Sequence, residues 1–122
     1  MGLGQTIRRF FSRMAESDEH RLRQEIRSWV ETIPDVVPIA GLPTRTPVVV
    51  AGVVKRITVH PEHGLEALEA VLTDGTGELS VMWMGRRAIR GLTLGTRVVV
   101  EGVVVEQRKG RRMVNPSFEF SA

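Results

Sequence analysis

The 122 residues, 42% hydrophobic and 25% charged, have the length and balance of one modest soluble core, which leaves little surface for an elaborate active site. There is no cysteine, which excludes disulfides, thiolate zinc sites and a cysteine nucleophile, and agrees with an expected cytoplasmic location. The net charge of +3 is unevenly spread: residues 57–83 hold five acids and no Lys or Arg, whereas residues 84–122 hold eight bases against three acids, so any phosphate contact is expected in the second half.

Residues 1–33 form an N-terminal helical segment, because apolar positions recur at helical spacing in two sets: Ile7, Phe10, Phe11 and Met14, then Leu22, Ile26, Trp29, Val30 and Ile33. Between them Ser17-Asp18-Glu19-His20 resembles a helix start, so one rod and a short helix followed by a longer one are both open. The first set lies beside Arg8, Arg9 and Arg13. The plain expectation for it is packing against the rest of the chain or a second copy; the sharper one is a basic amphipathic segment that docks on a partner or at a membrane surface. No apolar run reaches the roughly 18 residues of a membrane span, and the start has no secretory signal's apolar core.

A proline-rich linker, residues 34–46, follows; Pro34, Pro38 and Pro43 end any helix, and Ile39 and Leu42 are positioned to pin it to the core. From Pro47 the texture changes to short β-branched runs divided by glycine and polar turns, so residues 47–122 form one β unit. Five strands are expected, over 47–59, 66–73, 77–84, 96–106 and 111–120, with GRRAIRGLTLG after the third as one helical turn or a loop. Gly52 and Gly102 interrupt valine-rich strands where a small barrel coils sharply or bulges. The fold class is therefore mainly β: a five-stranded OB-type Greek-key barrel preceded by an N-terminal α-helical segment.

The stretch LTDGTGELSVMWMG, an aspartate turn, Thr-Gly and an alternating strand, resembles OB domains of the anticodon-binding and RecG helicase wedge type. GTRVVVEGVVVE, a basic turn and NPSFEF continue that likeness. With its arginine-rich start, the whole chain resembles the short, stand-alone OB-fold proteins of actinobacteria described as nucleic-acid-binding. The resemblance implies a ligand face on strands two and three, flanked by the loops joining strands one to two and four to five.

Alternation places Leu68, Ala70, Leu72, Leu79, Val81 and Trp83 inside, and Glu69, Val71, Thr73, Ser80 and Met82 on that outer face. The face has no aromatic ring, so binding there rests on charge rather than on base stacking, which is worth about 1–3 kcal/mol per base elsewhere. Trp83 becomes a stacking platform only through a register slip at a bulge; otherwise it is core. Arg108, Lys109, Arg111 and Arg112, around a glycine turn at an OB ligand position, are the leading phosphate contacts. Arg86, Arg87 and Arg90 extend the patch, and Lys55 and Arg56 adjoin the first loop. The plain reading of each charge is a solvated turn. His60 and His63, on a proline-broken loop, supply neither a third firm metal ligand nor a catalytic partner, so no metal, cofactor or enzyme activity is expected. The expectation is a non-catalytic module for weak, sequence-tolerant binding of single-stranded or structured DNA or RNA, with contacts including Ser80, Thr73 and Met82. The alternative is a protein-interaction adaptor that uses Met82, Val71 and Thr73, or self-associates through residues 1–33.

Overall fold

Every second residue of the first valine run, Val48 and Val50, points into one apolar interior, as does every second residue of the later run, Val98 and Val100. Those two runs pair with one another, Val50 opposite Val100, and this pairing closes a barrel. The structure, a computed structural model, describes residues 3–108 and 110–121, and within its first helix the side chains of Arg9 and of Ser12 onward.

The elements are α1 (Leu3–Val30), a 3-10 turn (Ile39–Gly41), β1 (Pro47–Glu62), β2 (Leu65–Thr73), β3 (Glu78–Met84), β4 (Arg97–Gln107), β5 (Gly110–Val114) and β6 (Ser117–Phe120). The strands run β1-β2-β3-β5-β4, and β4 returns to β1. The β3–β5 pairing is parallel and the others are antiparallel. This is the OB layout.

Of the two open readings of the N-terminal segment, the structure takes the single helix: α1 runs unbroken through Ser17–His20, where Asp18 and Arg21 pair at 3.5 Å. Its last turns pack, with Ile26, Trp29 and Val30 against Ala51 of β1. Ile39 and Leu42 are buried in the main core, so the proline-rich stretch is held to the barrel wall.

A bulge in β1 decides which residues face outward. Val54 pairs with Leu72 and Arg56 with Val71, which leaves Lys55 as the extra residue. The extra residue shifts the alternation by one. Before it the even positions Val48, Val50 and Val54 are core; after it Ile57 packs on the core while Arg56, Thr58 and His60 turn outward. The bulge lies beside Gly52, where an added Cβ would stand 3.1 Å from Leu72 Cβ and from the Thr73 carbonyl oxygen. At Gly102 an added Cβ would stand 3.0 Å from Met113 Sδ, so both interruptions of the valine runs mark close approach across the barrel.

The structure corrects several boundaries. The first strand continues through Pro61 to Glu62, because β2 pairs with it along the whole hairpin. The expected fifth strand, 111–120, is two: Asn115 adopts φ 51°, its N–H donates to the Met82 carbonyl at 2.6 Å, and its side-chain oxygen accepts the Met84 N–H at 2.9 Å. That turn moves the chain from the edge of β3 to the N-terminal half of β4. Of the two open readings of the β3–β4 connection the structure takes the loop, which buries Ile89 and Leu92. Trp83 is a core residue: its Nε1–H donates to the Pro116 carbonyl at 3.1 Å and its ring meets Phe118 edge-on at 5.4 Å.

Candidate nucleic-acid interface

The outward turn of β1 after its bulge, the outer face of β2 and β3, and the β4–β5 hairpin enclose one groove of about 710 Å³. Arg56, Thr58, His60 and Glu62 come from β1, Glu69 and Val71 from β2, Ser80 from β3, and Arg108, Arg111 and Arg112 from the β4–β5 hairpin and β5. Four guanidinium groups therefore meet two carboxylates, a surplus of positive charge in a concave site.

The carboxylates sit on one of the four. Arg112, its side chain 13% exposed, lies 3.7 Å from Glu62 and 3.5 Å from Glu69. Glu69 also accepts the Ser80 hydroxyl at 2.8 Å, and the His60 ring stands 3.6 Å from Glu62 and 3.8 Å from Glu69. On the groove floor one guanidinium thus faces two carboxylates, so Arg112 carries no free positive charge there. The rim is cationic: Arg56 and Arg108 are exposed, and exposed Arg111 spends one N–H on the Leu42 carbonyl at 3.1 Å, leaving further donors.

The expected contact residues fall into separate places. Arg108, Arg111, Arg112, Arg56 and Ser80 converge on the groove, whereas Lys109 lies outside the described residues. Lys55, the bulge residue, points away to a second cleft between α1 and the β2–β3 turn, which Thr73 also lines. There Lys55 Nζ donates to Glu78 at 2.8 Å, and this hydrogen bond holds the Glu78 carboxyl below its ordinary value. Arg86, Arg87 and Arg90 are exposed beyond the groove lining, Arg87 pairing with Glu66 at 3.1 Å. Met82 is a correction: it is 1% exposed, because parallel pairing of β3 with β5 covers it and Arg112 Nη1 rests 4.0 Å from its sulfur. Met82 thus offers no surface to nucleic acid or to a protein partner.

The alternation of β1 alone does not reveal Thr58, His60 and Glu62 as groove residues, since the bulge reverses it. Asp74 is a further residue whose weight the sequence shows only as part of a turn. Although fully buried, it accepts the Ile39 N–H and the Thr76 N–H at 2.8 Å, the Thr76 hydroxyl at 2.6 Å and the Gly77 N–H at 3.2 Å, with Arg27 at 3.6 Å. It ties the linker, the β2–β3 turn and α1 into one unit. The DGTG turn seen in the sequence is the mark of this site.

No curated protein matches the chain. The tRNA anti-codon family model, described as an OB-fold nucleic acid binding domain, matches residues 48–120, which takes in all six strands but for Pro47. The match covers more than half of the chain and coincides with the closed barrel, so this protein belongs to the OB-fold nucleic acid binding domain family.

Proposed function

We propose that the barrel is a non-catalytic binder of single-stranded nucleic acid that holds the sugar-phosphate backbone in the groove between the β1–β2 and β4–β5 hairpins. The observation that carries this reading is the convergence of Arg56, Arg108 and Arg111 around one 710 Å³ groove on the family's nucleic-acid-binding domain. Lys109, adjacent in sequence to Arg108, adds a fourth cation to the proposed set.

Among the described residues the groove lining has no Phe, Tyr or Trp, and its one ring, His60, is held beside Glu62 and Glu69, so the contacts rest mainly on phosphate. Binding of this kind is tolerant of sequence and steep in salt. Neutralising three or four phosphates gives a slope of log affinity on log salt of about −2 to −3 for a single strand. Fluorescence-anisotropy titrations of labelled DNA and RNA oligonucleotides at about 50 and about 200 mM salt therefore separate by roughly 15- to 60-fold. Affinity that is the same at both salts contradicts the reading.

A further inference from the structure

Helix α1 lies outside the family match, and among its described side chains those that are buried lie near its C-terminal end. Ile26, Trp29 and Val30 are buried on the barrel, while every residue from Ser12 to Glu25 is exposed, Met14 at 48% and Leu22 at 58%. At 1.5 Å per residue, Met14 lies about 18 Å beyond Ile26 along the axis. The helix runs past the barrel that holds it.

Helical spacing puts Leu3, Ile7, Phe10, Phe11 and Met14 in one arc, centred about 110° around the helix from the arc of Ile26, Trp29 and Val30. Where the first arc continues toward the barrel it meets Asp18, Arg21 and Glu25, and ends. By helical spacing only Phe11 falls on the line of Trp29, about 27 Å from it along the axis, while Leu3, Ile7, Phe10 and Met14 fall to one side of that line. The barrel packs on the second arc, and the one described side chain of the first, Met14, is exposed.

Charge selects what meets the first arc. Residues 1–15 carry Arg8, Arg9 and Arg13 and no acid, and all three arginines fall outside the apolar arc. Two copies pairing through this arc, parallel or antiparallel, bring three arginines of each copy together with Glu16, one turn beyond Arg13, as the nearest carboxylate. A phosphate polymer would match the arginines and leave the apolar arc in water. A bilayer rich in anionic lipid matches both, with headgroups for the arginines and the acyl boundary for the arc.

We propose that the first turns of α1, Leu3–Met14, are a peripheral anchor for an anionic lipid bilayer, lying in the plane of the interface while the barrel stays in water. This stands independently of the nucleic-acid reading. Each arginine is expected to raise partitioning about fivefold, the fold-change that corresponds to about 1 kcal/mol per basic residue near such a surface.

The test is vesicle flotation of the full chain with equimolar phosphatidylcholine and phosphatidylglycerol, compared with phosphatidylcholine alone. The anionic vesicles should retain the protein at least tenfold better. Two variants, F10S/F11S and R8Q/R9Q/R13Q, should each lose at least tenfold, with the barrel's thermal transition unchanged. Any of three results overturns the proposal: no retention by anionic vesicles; retention that survives both variants or disappears with R108A/R111A instead; or a dimer in sedimentation that F10S/F11S abolishes while vesicles bind nothing.

Discussion

Arg112 stands 3.5 Å from Glu69 on the floor of the groove, and the same carboxylate takes the Ser80 hydroxyl, so the most enclosed of the groove's arginines is already neutralised by its own chain. A phosphate approaching Arg112 competes with Glu69 and, at 3.7 Å, with Glu62, of which Glu69 is the nearer. Substituting Glu69→Gln removes that competitor's charge while keeping its shape. Affinity for single-stranded DNA should rise several-fold and the salt slope should steepen by about 0.7, one added phosphate contact. Anisotropy titrations over a range of salt read both; an unchanged slope would place Arg112 outside the phosphate path.

Asp74→Ala should cost about 3 kcal/mol of unfolding free energy in urea denaturation, since it strands the buried Ile39 N–H and the donors of the 74–77 turn. Arg27→Ala should cost less, because its side chain is 28% exposed and water takes over part of its role. Equal losses in the two variants would show that the ion pair, and not the turn, is what Asp74 supports.

Much of the barrel is legible because its code is local. Valine runs, turn glycines and alternation locate the first four strands to within three residues, and the inside set of β2 and β3, Trp83 included, is the set observed. Non-local facts are not legible. Met82 alternates outward, yet β5 arrives beside β3 from 30 residues away and covers it; the bulge at Lys55 sends that lysine and Arg56 to different clefts. The split of the fifth strand has a local mark, Asn115-Pro116, whose meaning depends on where β3 ends. Arginines are easily counted in a sequence, but which are already paired with carboxylates is settled only when β1, β2 and β5 meet.

Gly52→Ala tests the close approach beside the bulge. The new methyl would sit 3.1 Å from the Thr73 carbonyl oxygen, which is backbone and cannot rotate away. A loss of about 1–3 kcal/mol is expected from thermal or urea unfolding. Arg56 would also move with the register, so the variant should bind oligonucleotide more weakly than its stability alone explains; unchanged affinity would dissociate the bulge from the groove.

The Lys55–Glu78 pair predicts a small acid-sensitive term. Hydrogen bonding from Lys55, with the charges of Lys55 and Arg56, holds the folded-state carboxyl of Glu78 below its unfolded value, against an opposing contribution from burial. Its stabilisation is therefore present above the ordinary carboxylate pKa and is lost as the pH falls through the folded value. Both side chains are well exposed, at 55% and 42%, so the contribution is a few tenths of a kcal/mol at most. Urea midpoints at neutral pH and below the carboxylate range should differ less in Glu78→Gln than in wild type; an identical pH response would leave the pair without a role in stability.

The most direct test of the groove as a phosphate site is an anisotropy titration of one labelled single-stranded oligonucleotide against wild type and against a variant with Arg56, Arg108 and Arg111 all changed to Ala. Both proteins would be measured at about 50 and about 200 mM salt. Wild type should bind with a steep salt dependence, and the triple variant should lose at least tenfold at low salt and most of its slope. A triple variant that binds as tightly as wild type, with the same slope, would contradict the assignment and move the phosphate contacts elsewhere on the protein.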